Sequence, residues 1–235
     1  EEEQMASPRL THRFADRVVL LATGRCAMRC RFCFRKRAWT TGMELDDISD
    51  AELAAAVDYL RRTPAVREVL ISGGDPLMQW PFVAEVIDRL GETPAAVETS
   101  GYAPDDVFDD AMRRCRLILM DWKVSGPELH QKYTGVPQAR IRRHAEQLAA
   151  GGVPFLLRMP IIPGVNDTPF HFETAAELVK NSKSLVRVDV LPYLRAAGAK
   201  YEMVGREYAP GFDESAPPRF HTEIFDRMGI PYRVF

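Results

Sequence analysis

A fourth thiol is missing where three stand together. Cys26, Cys30 and Cys33 fall within "TGRCAMRCRFCFRKRAW", residues 23–39, whereas the chain's other cysteine, Cys115, lies far along the sequence. No histidine stands near them, His12 being upstream and His130 far downstream. Long apolar runs are absent too: none approaches the ~20 residues of a membrane span, and the start, "EEEQMASPRL", is acidic where a secretory signal is basic and then apolar. These features predict a cytoplasmic protein with no membrane partner. An excess of one charge is also lacking, and a formal net charge of -2 gives no bulk attraction to nucleic acid. There is no repeat and no low-complexity tract. With 235 residues, 46% of them hydrophobic, the chain is expected to form one domain over 1–235, with an N-terminal extension at 1–15 and a C-terminal one from about 194 to 235. Three crowded cysteines make a poor disulfide framework for a domain of this size, and in a reducing compartment such a cluster suits metal or redox chemistry.

What is present is an alternation of short apolar runs with helical periodicity. Strands are expected at 17–23, 68–72, 95–100, 116–122, 153–162 and 186–193. Helices are expected at 49–62, where Ser49 and Glu52 form a capping box, and at 168–180, with Thr168 as cap and Pro169 in the first helical position. Residues 81–90 and 137–150 are further helical segments. Six strands alternating with helices predict parallel βαβ units in an α/β fold, either an open, partial (β/α)6 TIM-like barrel or a doubly wound sheet. Both put ligands at the C-terminal ends of the strands. The cysteine loop, "GGDP", "ETSG", "DWK", "RMPIIPG" and "LPY" all fall there.

Thiolates spaced C-x3-C-x2-C select zinc, Cu(I) or an iron–sulfur cluster. A structural zinc wants four ligands, and the fourth is missing. Cys115, at the opposite end of its strand, reads as a small buried apolar residue. A [4Fe–4S] cluster on three cysteines leaves one iron for a ligand that is not protein. The other class of reading is a zinc-binding structural or nucleic-acid-binding protein whose arginines meet phosphate. Arg25, Arg29, Arg31, Arg35, Lys36 and Arg37 either favour an anionic cluster or form a docking face for an acidic electron donor such as flavodoxin or ferredoxin.

The spacing, with Phe32 as the aromatic before the last cysteine, resembles the signature of the radical S-adenosylmethionine enzymes. The resemblance implies that Cys26, Cys30 and Cys33 hold a [4Fe–4S] cluster and that S-adenosylmethionine chelates the open iron and is cleaved to a 5′-deoxyadenosyl radical. "SGGDPL" is similar to the family's glycine-rich motif, which would place Ser72, Gly73, Gly74 and Asp75 at the cofactor, with Asp75 for the more usual Glu and the motif's backbone and acidic side chain meeting the methionine amino group. "VETSG", "LMDWK", "FLLRMPIIPGVND" and "LPYLRAAGAKYEMVGREY" resemble stretches of pyruvate formate-lyase activating enzymes. That implies Glu98, Thr99 and Asp121 near a monovalent cation, and Glu98, Ser100, Lys123, Arg158 and Tyr193 toward S-adenosylmethionine.

Two departures mark the substrate question. Leu194 stands where those activases read "LPYH", and "CFRKR" stands where they read "CHN". The front third instead resembles lysine 2,3-aminomutase and its relatives. Aminomutases need pyridoxal phosphate on a lysine and further C-terminal structure, and no lysine here lies in a recognisable phosphate-binding context. The expectation is therefore a glycyl radical enzyme activating enzyme, then a radical enzyme for a small molecule or peptide, then an aminomutase. Trp39, Trp80, Trp122, Phe155 and Met159 are candidates for pocket or core, as are Tyr193 and Tyr201.

Overall fold

The computed structural model describes residues 5–33, 47–195 and 210–235. The basic run Arg35, Lys36 and Arg37, together with Trp39 and Tyr201, lies outside the described residues. All six expected strands form: β3 (Arg17–Thr23), β4 (Glu68–Gly73), β5 (Ala95–Thr99), β6 (Leu117–Asp121), β7 (Phe155–Ile161) and β8 (Leu185–Pro192). They pair in parallel in sequence order. A doubly wound sheet would reverse its order at a switch point; this one does not. An N-terminal hairpin, β1 (Met5–Ser7) and β2 (Leu10–Phe14), adds antiparallel to β3, and β9 (Tyr232–Val234) adds parallel to β8. Among the described residues β1 and β9 pair only inward, so the nine-stranded sheet ends in two edges and the barrel is open.

The helices form where their ends are chemically marked. In α1 (Asp50–Arg62) the Ser49 hydroxyl accepts from the Glu52 amide, and the Glu52 carboxylate accepts from the Ser49 amide at 2.8 Å. Leu53 and Ala56 form its buried stripe. After α2 (Trp80–Leu90) and α3 (Asp105–Arg114), Trp80 Nε1 ties the pair together by donating to Asp110 at 2.7 Å. Then come α4 (Pro127–Thr134), α5 (Ala139–Ala150) and α6 (Pro169–Val179), the last opened by Thr168 and Pro169 as its sequence predicts. A short α7 (Glu223–Met228) leads into β9.

The core lies inside the sheet and between sheet and helices. β5 reads Ala-Ala-Val-Glu-Thr, buried at every position but its glutamate, as expected of a parallel strand covered on both faces. Trp80, Trp122, Phe155 and Met159 belong to this core. Cys115 caps α3 at the far end of the sheet, where burial pushes its thiol up to about 12.

Candidate active site at the C-terminal strand ends

The cysteine loop leaves β3 at Thr23 and crosses the mouth of the barrel without regular structure. Backbone bonds hold it on two sides. The Gly74 amide donates to the Thr23 carbonyl and the Asp75 amide to the Arg25 carbonyl, both at 2.7 Å. The Arg29 and Arg31 amides donate to Thr134 and Tyr133 at the end of α4, at 2.8 and 2.9 Å. The glycine pair is needed for the first of these contacts. A Cβ on Gly73 would stand 2.0 Å from the Thr23 carbonyl oxygen, and one on Gly74 2.2 Å from that of Arg25. The close approach expected of "GG" is thus made toward the base of the cysteine loop.

One cavity of about 500 Å³ opens over the strand ends, and all three cysteines line it. So do Phe32, Gly73, Gly74 and Asp75 from the first half of the barrel, Glu98 and Thr99 of β5 with Ser100 just after it, Asp121 of β6 with Lys123 just after it, Arg158 of β7 and Tyr193 just after β8. Ser72 does not reach the cavity wall; it stands behind, its hydroxyl donating to Glu98 at 2.6 Å. Met28, Pro160, Leu191, Pro192 and Phe235 also line the cavity. Motif reading misses them because apolar wall residues carry no chemical signature; the "LPY" strand end was their one legible sign.

A row of alternating charges crosses the floor. Arg158 reaches Glu98 at 2.5 Å and Asp121 at 3.8 Å, and Lys123 holds Asp121 at 2.6 Å. Strand register sets this arrangement, since Asp121, Arg158 and Asp189 are successive partners across β6, β7 and β8. These carboxylates hold Lys123 and Arg158 above their ordinary pKa values against the opposing cost of burial, so both stay cationic. Glu98 and Asp121 are therefore each matched by a cation of the chain itself, and the Thr99 hydroxyl is turned to Asp75 at 2.8 Å. As placed, Glu98, Thr99 and Asp121 each have a protein partner.

Asp75 is likewise engaged within the protein. Its carboxylate faces no open space: Oδ1 accepts from the Leu77 amide and Thr99 hydroxyl, and Oδ2 from the Ser100 amide and hydroxyl. The side chain is 3% exposed, and burial raises its pKa against those four donors. It ties the end of β4 to the end of β5 while lining the cavity.

Among the described residues no three His, Cys, Asp or Glu side chains are grouped to hold a single metal ion. The three thiols nevertheless share one cavity, and burial pushes Cys26 and Cys30 up to about 12. Thiols in that state stay protonated at neutral pH unless a strongly positive centre takes the place of the protons. Three cysteine side chains around a common space suit a polynuclear centre better than one small ion. Lys123 lies within electrostatic reach of Cys26 and Cys30.

This combination of an open parallel barrel and a three-cysteine loop over its mouth defines a class, and comparison with known proteins identifies it. Residues 20–178 match the Radical SAM superfamily model, so the chain belongs to the radical S-adenosylmethionine superfamily. It is similar to the isethionate sulfite-lyase activating enzyme of Desulfovibrio desulfuricans, 35% identical over 60% of this chain and 46% of that protein. Against the L-lysine 2,3-aminomutase of Clostridium subterminale it is 32% identical over 82% of this chain and 45% of the other. The chain thus spans less than half of these two relatives, but 81% of the pyruvate formate-lyase 1-activating enzyme of Escherichia coli, at 25% identity over 84% of its own length. The fold is shared with a domain of a pyruvate-formate lyase-activating enzyme from Bacteroides vulgatus, TM-score 0.56 and 23% identity over 71% of this chain and 98% of that one. It is shared also with Streptococcus suis SuiB bound to S-adenosylmethionine, TM-score 0.67 and 12% identity over 94% of this chain and 50% of that one. Among the described residues no helix is long and apolar enough to cross a membrane.

Proposed function

We propose that residues 1–235 form a single radical S-adenosylmethionine domain that generates a glycyl radical in a partner protein. The observation that carries this reading is the convergence of Cys26, Cys30 and Cys33 with Lys123 and Arg158 on one cavity whose opposite wall is apolar. Cys26, Cys30 and Cys33 would hold a [4Fe–4S] cluster, and Lys123 and Arg158 would face the carboxylate of S-adenosylmethionine. When bound, these groups supply an electron and a 5′-deoxyadenosyl radical that removes a hydrogen atom. Glu98 and Asp121 hold the two cations in place, and Phe32, which is 8% exposed, screens the cysteines from water. Leu191, Pro192 and Tyr193 provide an apolar wall suited to a loop of the partner. Similarity to activating enzymes over 80% and 84% of the chain supports this reading. Electrons would come from a flavodoxin or ferredoxin docking on the side of Arg25, Arg29 and Arg31.

A second reading rests on Leu194. It is 62% exposed at the cavity rim, where the activases' histidine would stand, and an apolar rim there suits a small-molecule or peptide substrate. One experiment separates the two. The protein, reconstituted with iron and sulfide without oxygen, is reduced with S-adenosylmethionine and a glycyl radical enzyme. A glycyl doublet in the electron paramagnetic resonance spectrum, with 5′-deoxyadenosine formed, is expected. Cofactor cleavage without a glycyl signal from several partners selects the second reading; a colourless protein holding one zinc refutes both. Alanine at Cys26, Cys30 or Cys33 should each abolish 5′-deoxyadenosine formation.

A further inference from the structure

Behind the charged row lies a buried polar group that the proposed chemistry does not use. Asn166, 1% exposed, sits in the loop after β7. Its Nδ2 donates to the Lys123 carbonyl at 2.6 Å and to the Pro160 carbonyl at 2.7 Å, and its Oδ1 accepts from the Ile162 amide at 2.6 Å. His171, also 1% exposed, stands 3.4 Å from Asn166 through Nε2 and 2.9 Å from the Ser125 hydroxyl through Nδ1. That hydroxyl accepts from Trp122 Nε1 at 2.9 Å. The network thus holds the segment Trp122–Ser125 from outside at the Lys123 carbonyl and at the Ser125 hydroxyl, and Lys123 itself lines the cavity.

The grip answers a local defect in the sheet. The β6–β7 ladder runs to the bond from the Trp122 amide to the Arg158 carbonyl at 2.8 Å. Pro160 has no amide hydrogen with which to continue it. Beyond that point the two strand ends are joined by one side-chain amide that donates to a carbonyl on each. A buried amide with its donors and acceptor all engaged fixes its neighbours tightly, because leaving any of those groups unpaired is costly. Lys123 is held there without contact between Asn166 and the cavity.

We propose that Asn166, backed by His171 and Ser125, is a positioning residue that presets Lys123 for the anionic end of S-adenosylmethionine. A cation already fixed loses less freedom on binding than one ordered by its ligand, so the network raises affinity through Lys123 alone. This rests on the reading that Lys123 faces the cofactor's carboxylate, and the test keeps the two apart. It measures the Kd for S-adenosylmethionine by equilibrium dialysis with the reconstituted holoenzyme, for wild type, Asn166→Ala, Lys123→Met and the double variant, with iron content checked in each. Asn166→Ala is expected to weaken binding at least tenfold at wild-type iron content. In the Lys123→Met background the same change should weaken it by no more than twofold, since the residue it positions is gone. Two outcomes overturn the proposal: Asn166→Ala binding within twofold of wild type, or effects that multiply in the double variant, as a merely structural role requires. Wild-type binding by Lys123→Met removes Lys123 from the cofactor site and defeats the underlying reading as well. Should Asn166→Ala fail to fold, Ser125→Ala removes the hydroxyl between Trp122 and His171. It is expected to weaken binding threefold or more in the wild-type background and by less than twofold with Lys123→Met; equal effects in the two backgrounds overturn the proposal.

Discussion

A methyl group at Gly74 would drive into the carbonyl oxygen of Arg25, which also accepts the Asp75 amide, so the chain cannot relieve the clash without moving the cysteine loop. Overpacking of that kind costs ~1–3 kcal/mol, and here it falls where the loop joins the barrel. Gly74→Ala is expected to lower the thermal midpoint and to lose most of its iron after reconstitution; wild-type values of both would contradict this account. The glycines themselves were legible in the sequence, but their partner was not. "GG" at a strand end announces a close approach without saying by what, and the approaching group came from a strand more than forty residues earlier, Thr23 of β3. The partners of Asp75 were hidden for a related reason. A carboxylate after two glycines looks available to a ligand, and only the fold reveals that Thr99 and Ser100 engage it.

Among the elements, strands and helices with strong periodicity or marked caps were legible, and those depending on distant partners were not. α1 and α6 announce themselves by Ser49, Glu52, Thr168 and Pro169. α4 is short, and its importance lies in two backbone carbonyls that accept from the cysteine loop, a role that no side chain encodes. β9 has three residues and gains its identity only by pairing with β8. The approach to β9 depends on Asp167, which is 3% exposed and binds the Gly164 amide at 2.9 Å and the Arg219 amide at 3.3 Å. Farther up the same segment, Phe212 packs edge-on to Tyr193 with ring centroids 5.3 Å apart, beside the cavity. Asp167→Ala leaves those donors without a partner, at a cost of ~1–3 kcal/mol. Limited proteolysis should then cut near Phe212 faster than in wild type, and an unchanged cleavage pattern would show that Asp167 does not secure this segment.

For the whole molecule, parallel strands were readable from the alternation of strands and helices, but their sequential order was not, since the same alternation also suits a doubly wound sheet. The balance of stability with pH was not readable, because it depends on burial. His171 lies behind the site with its pKa pushed down to about 3 by burial. Above about pH 6.5, the ordinary value for histidine, neither the folded nor the unfolded chain binds a proton there. Below it the unfolded chain gains a proton that the folded chain refuses until about pH 3, so this residue lowers stability as pH falls through that window, by up to ~1.4 kcal/mol per pH unit. Between pH 7.5 and 5.5, urea unfolding of His171→Asn should show a smaller loss of stability than wild type, by about 1 kcal/mol. Equal losses would mean that the ring titrates normally in the folded state.

The cysteine loop adds no rung to the sheet. Among the described residues its backbone is bonded to the ends of β3 and β4 on one side and to Tyr133 and Thr134 on the other, while Met28 and Phe32 pack into the core and Arg25 pairs with Asp47 at 3.6 Å. The scaffold can therefore be complete before any metal arrives, and loading becomes a late and local step of maturation. By the same token, oxygen that destroys a cluster held there need not destroy the protein. A chain that lost such a cluster would keep its barrel, and the cluster could be rebuilt in place from iron and sulfide.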